Sequence, residues 1–164
     1  MTAFSRLLRH FLMTRWRVRQ TFPKRTLQSI EAAITTVEKN HGGEIRVAIE
    51  GELSTADLWR NLSPRERAVQ VFGQLGVWDT EHNNGVLIYV LLADRDVEIV
   101  ADRGYASKVS DAEWAQVCHA IEQAFRGGEF ERGMVDGIAA AGKLVARHFP
   151  HRDRDELPNR PAML

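Results

Sequence analysis

A single cysteine, Cys118, among 164 residues excludes an internal disulfide and any cysteine-rich metal centre. It falls in an apolar helical pattern and reads as a buried, inert thiol. A lone thiol suits a reducing compartment. Long hydrophobic runs are missing too. The longest, residues 86–93, is far short of the ~20 residues a membrane-spanning helix needs. The N-terminus is basic, but arginines interrupt its apolar residues, so neither a secretory signal nor a spanning segment is expected. Net charge is absent: 22 basic residues balance 22 acidic ones, and no nucleic-acid partner is expected. The chain also lacks a nucleophile elbow, a phosphate-cradling glycine loop and a His-x-x-x-His zinc pair.

What is present is a chain with 44% hydrophobic residues, enough to bury one ordinary core. Its charge is unevenly spread. Residues 1–25 carry seven of the 22 basic residues and none of the 22 acidic ones, leaving the remainder at a net −7. The spacing therefore predicts a basic arm over 1–22, a domain over 23–150 and an extended C-terminal tail over 151–164, either free or laid on the surface. Within the arm, Phe4, Leu7, Leu8, Phe11 and Leu12 recur at helical spacing with Trp16 near the same stripe, which predicts one amphipathic helix over 4–18.

In the domain, Leu27, Ile30, Ile34 and Val37 share a helical face over 24–40, and His41-Gly42-Gly43 stops that helix. Ile45, Val47 and Ile49 alternate over 44–50, the two-residue period of a strand. Residues 51–62 form a connection with some helical character. Ser63-Pro64-Arg65-Glu66 opens a helix ending near Gly76, and Ser110-Asp111-Ala112-Glu113 opens another ending at Gly127-Gly128. Between them, 86–92 is a continuous apolar strand, covered on both faces. The Asp94-Arg95-Asp96 turn and a half-buried strand over 97–100 follow, and so short a gap permits only an antiparallel hairpin. A last helix ends before Pro150. The order predicts an α/β fold, a mixed sheet with helices on both faces. Three strands are few, so one or two more are expected within 51–62 or 103–110.

These motifs, in this order, resemble the TPM-domain family, whose members occur in thylakoid lumens and widely in bacteria. Gly43-Glu44-Ile45 matches the opening of its first strand, Asn84-Gly85-Val86-Leu87 its central strand, Asp94-Arg95 its turn and Ser110-Asp111 its helix cap. The resemblance covers about residues 26–147. The family's Gly-x-Gly-Leu-Glu segment is here Asp102-Arg103-Gly104-Tyr105-Ala106. The resemblance implies a three-layer α/β/α sandwich around a small mixed central sheet. It also implies Ca2+ or Mg2+ binding, known for some members, and an acid phosphatase activity proposed for plant members. Without a signal or membrane segment, the sequence is similar to a cytoplasmic branch of the family.

Topology then groups the candidate residues. The seven residues of the central strand set its two ends ~20 Å apart, so Asp94 and Asp96 cannot share an ion with Asp79, Asn83 or Asn84. Asp94-Arg95-Asp96 reads as a polar turn. The returning strand brings Asp102 and Arg103 back to the Asp79–Asn84 end. The expected metal ligands are Asp79, Asn84, Asp102 and Asp111, hard oxygen donors suited to Ca2+ or Mg2+. Arg103 is the candidate phosphate-binding residue, and His82 in the same loop could serve as a general acid. The same residues could equally pin the loop through an Asn-Gly turn and an Asp–Arg pair.

For the arm, Phe4, Leu8, Phe11 and Trp16 are the candidate contact residues. Their face packs on the domain, on a second copy or protein partner, or on an anionic membrane surface through residues 4–18. The function expected is a divalent-cation-binding accessory or interaction module, cytoplasmic and at most peripheral on the inner face of the membrane. The alternative is a metal-dependent phosphatase on small phosphomonoesters.

Overall fold

Side chains alternate along a strand, so each strand of a covered sheet serves two cores. In β1 (Glu44–Glu50), β2 (Gly85–Leu91) and β3 (Asp96–Ala101), one set of alternate residues is Ile45, Val47, Ile49, Val86, Ile88, Val90, Val97 and Ile99. These pack against α3 (Lys24–Glu38), α6 (Asp111–Arg126) and α7 (Phe130–His148) through Ile30, Ile34, Trp114, Ile121, Met134 and Ile138. The other set, Ala48, Leu87, Tyr89, Leu91 and Val100, packs against Ala68 and Val71 of α5 (Pro64–Gln74), with Leu53, Val77 and Leu157. Helices thus cover both faces, and the protein is a three-layer α/β/α sandwich. The computed structural model describes residues 3–164, the side chains of Ala3 and Phe4 excepted.

Sheet order is β3-β2-β1-β4, with β1 parallel to both β2 and β4, and β2 antiparallel to β3. The register pairs Glu44 with Gly85 and Val86 with Ala101, so the starts of β1 and β2 and the end of β3 share one rim. Both serine capping boxes form, at Ser63–Glu66 and Ser110–Glu113. Cys118 is buried in the core; burial, reinforced by Glu98 and Glu122, pushes its thiol up to about 12.

Two expectations need correction. The fourth strand is not within 51–62 or 103–110. The first of these segments holds α4 (Thr55–Trp59) and the second a 3-10 turn at Arg103–Tyr105. The extra strand is β4 (Ala162–Met163), in the tail. A two-residue strand carries no periodic signal, and its place is decided by the free edge of β1, which accepts it at Ala48 and Ile49. The helix over 4–18 is two, α1 (Ala3–Leu12) and α2 (Arg15–Thr21), because Thr14 takes an extended conformation and its hydroxyl accepts a hydrogen bond from the Arg17 amide.

The arm docks by its charged side. Asp94, in the β2–β3 turn, receives Arg6 at 2.8 Å, Arg9 at 3.4 Å and His10 Nε2 at 3.1 Å. Arg6 also donates to the Leu62 carbonyl at 2.7 Å, and the Leu53 amide donates to His10 Nδ1 at 3.0 Å. Asp94-Arg95-Asp96 is therefore an anchoring point as well as a turn. Burial would raise the Asp94 carboxyl, but hydrogen bonds from His10 and Arg6 outweigh it and hold the group at about 2, below its ordinary 3.8. The contribution of this contact is present above the unfolded value and is lost as pH falls through about 2. Asp94→Ala, which leaves the arm's cations unpaired, is expected to destabilise the protein by about 2–3 kcal/mol. It should also raise amide exchange in α1, measured by hydrogen–deuterium exchange; unchanged protection of α1 would contradict this anchoring.

Candidate cation site

The chain doubles back after β2 as expected. The Asp102 amide donates to the Gly85 carbonyl at 2.9 Å, and the Gly104 amide to the Asn83 carbonyl at 2.9 Å. Arg103 Nε donates to Asn83 Oδ1 at 2.7 Å. The side chains then diverge. Asn84 is buried: its amide group donates to the Gly42 carbonyl, and its own carbonyl accepts from the Tyr105 hydroxyl at 2.8 Å. Asp102 Oδ1 caps the 3-10 turn by accepting from the Arg103 amide at 2.7 Å. Asp102, Arg103 and Asp111 line a cavity of about 550 Å³ over the β3–α6 face, which Asp79 and Asn84 do not line. Asp79 is exposed. His82 is exposed and pairs with Asp153 at 3.0 Å.

Another group of carboxylates converges at the same rim. Glu38 ends α3, Glu44 opens β1, and Asp155 comes from the tail; one ligand oxygen of each lies within 4.8 Å of the others. Glu38 Oε1 accepts from the Ile45 amide at 2.9 Å, while Oε2 is buried without a hydrogen-bond partner. Glu44 is buried, and its Oε2 accepts from the Leu157 amide at 3.1 Å. Burial, with the charges of Glu44 and Asp155, raises the Glu38 carboxyl to about 8. Burial, with Asp155 and Glu156, raises Glu44 to about 7. The charges acting on this pair are all acidic, so a proton or a cation must neutralise it. A second trio, Glu81, His82 and Asp153, is more open to water.

The tail is needed to complete the site. It is held by β4, by Arg46 donating to the Pro158 and Arg160 carbonyls, and by the buried Leu157. The sequence does carry two of the three residues as a signal: glutamates on either side of the His41-Gly42-Gly43 helix stop. The third depends on where an aperiodic tail lies.

The sequence profile of the TPM domain matches residues 18–144. The chain belongs to the TPM-domain family. This TPM domain is 39% identical to the BA42 protein of the psychrophilic bacterium Bizionia argentinensis, whose NMR structure superposes with a TM-score of 0.70 over 85% of this chain and 93% of that one. The N-terminal domain of a P. gingivalis protein shares 19% identity with a TM-score of 0.62, covering 81% and 82% of the two chains. The N-terminal domain of the cg2496 protein from Corynebacterium glutamicum shares 16% with a TM-score of 0.54, covering 81% and 83%. These two establish likeness of fold. No curated protein matches the chain. Among the described residues of this TPM domain, no helix is long and apolar enough to cross a membrane.

Proposed function

We propose that this TPM domain is a divalent-cation-binding accessory module that takes Ca2+ or Mg2+ at Glu38, Glu44 and Asp155 and acts through a protein partner. The observation that supports this most is the pairing of two glutamates, both raised well above the ordinary carboxylate range, with one buried oxygen of Glu38 left without a partner. Carboxylate oxygens are the donors Ca2+ and Mg2+ prefer, and a divalent ion would displace the protons that the cluster otherwise retains. A bound ion would tie the end of α3, the start of β1 and the tail together, so that cation occupancy controls how the tail is presented to a partner. The one thiol is buried with its proton held, which leaves it unsuited to nucleophilic attack.

Titration calorimetry with Ca2+ and with Mg2+ tests this reading. One ion per chain should bind, and at about ten times Kd it should stabilise the fold by ~1.4 kcal/mol, a rise in Tm of about 3–5 °C. Glu44→Gln keeps the acceptor for the Leu157 amide and should weaken binding at least about tenfold. Absence of heat and of any Tm shift with both ions would refute cation binding. Hydrolysis of p-nitrophenyl phosphate that EDTA and Glu44→Gln both abolish would replace the accessory role with a phosphatase.

A further inference from the structure

Helix α1 is oriented the reverse of an ordinary surface helix. Arg6, Arg9, His10 and Met13 fall on one side at helical spacing, and Arg6, Arg9 and His10 meet Asp94 on the domain. Leu7, Leu8, Phe11 and Leu12 occupy the other side and face outward. Phe11 is 85% exposed, and Trp16 at the start of α2 is 65% exposed. Trp59, 81% exposed, ends α4 just before Asn61 and Leu62, which accept hydrogen bonds from Arg6. The candidate contact residues Leu8, Phe11 and Trp16 therefore belong to an outward apolar face, while the side chain of Phe4 lies outside the described residues.

Such a face is costly in water unless something covers it. Its surroundings specify what. Among the described residues, Arg15, Arg17 and Arg19 of α2 have no ion-pair partner, and residues 3–21 contain no acidic side chain. The rest of the chain, by contrast, carries a net −7 beyond residue 25. Leucine and phenylalanine with tryptophan, flanked by arginines, are the side chains that partition into an anionic lipid interface. We propose that α1 and α2 form a preoriented lipid-docking face that seats this domain on an anionic membrane surface. The Asp94 anchor holds the polar side inward, so the apolar side is already presented before binding. Arg15, Arg17 and Arg19 would lie among the headgroups, with Leu8, Phe11, Leu12 and Trp16 in the acyl boundary. The proposal is independent of the cation site.

Flotation of the full chain tests it, using vesicles of phosphatidylcholine alone and vesicles containing about one-third phosphatidylglycerol. The protein should float with the anionic vesicles at least about tenfold more than with the neutral ones, less so in high salt. Phe11→Ser with Trp16→Ser should lose about tenfold or more of that recovery, as should Arg15→Glu with Arg17→Glu and Arg19→Glu. All five side chains are exposed, so these variants should keep the wild-type melting curve. Equal recovery on the two vesicle types, no flotation at all, or variants that float like the wild type would each overturn the proposal. So would a lipid-free dimer in sedimentation equilibrium that Phe11→Ser with Trp16→Ser dissociates, since the face would then belong to a second copy.

Discussion

Between about pH 6.5 and pH 9, without divalent cation, the unfolding free energy should fall by roughly 2–3 kcal/mol, and millimolar Ca2+ should restore most of it. The sign follows from the two glutamates. Glu38 and Glu44 sit at about 8 and about 7 in the fold against an ordinary 4.5, so above the ordinary value the folded state holds more protons than the unfolded one. Their contribution is complete below the unfolded value and is lost as pH rises through 7 and then 8. Two other shifted groups do not produce this fall. His41 is held below its ordinary 6.5 by burial, so its contribution rises with pH, opposite in sign to the glutamates. Asp96, raised to about 6 first by burial and then by Glu98, has given up most of its proton before this pH window begins. Glu38→Gln should flatten the slope, raise stability near the alkaline end and remove most of the Ca2+ effect. Urea unfolding at a series of pH values, with EDTA and with Ca2+, provides the measurement. A stability that is level or rises across the window would refute the assignment of two protonated glutamates.

Gly85→Ala should destabilise the protein by about 3 kcal/mol or more, lowering Tm by roughly 6–12 °C. The reason is contact. A Cβ at Gly85 would lie 2.0 Å from the Val77 carbonyl oxygen and 3.0 Å from Val77 Cγ1, and Val77 is fully buried. A backbone carbonyl cannot swing away as a side chain does. The alternative movement, of β2 itself, would disturb its pairing with β1 at Glu44 and the Asp102 hydrogen bond to Gly85. Gly73→Ala in α5 is the control: nothing lies within 4 Å of its Cβ, so it should be neutral or stabilising by up to ~1 kcal/mol. Thermal melts of the two variants that coincide would show that the close approach at Gly85 is unimportant.

Local patterns were enough for the layers. The alternation of Ile45, Val47 and Ile49, the unbroken apolar run of β2 and the two serine capping boxes each act over a few residues, and each forms as read. The short link after β2 permitted only an antiparallel return, which brings Asp102 beside Gly85. Asn84-Gly85 was legible as the opening of the central strand, but the demand for glycine there comes from Val77, a contact across the fold. The arm was legible as amphipathic but not in its orientation. Hydrophobic spacing says which side chains share a face; whether that face turns in depends on what the domain offers, and here Asp94 offers charge.

The division between sequence and tertiary structure is therefore one of range. Periodicity, capping and short connections are interactions between near neighbours, and they alone determined α3, α5, α6 and α7, the three main strands and the family resemblance. Tertiary structure decided which carboxylates meet, since the path of an aperiodic tail brings Asp155 to Glu38 and Glu44. It also decided which face of α1 meets water, since a carboxylate at the far end of the sheet holds its arginines inward. Such long-range pairings depend on the summed packing of the whole chain, and no local pattern encodes that sum.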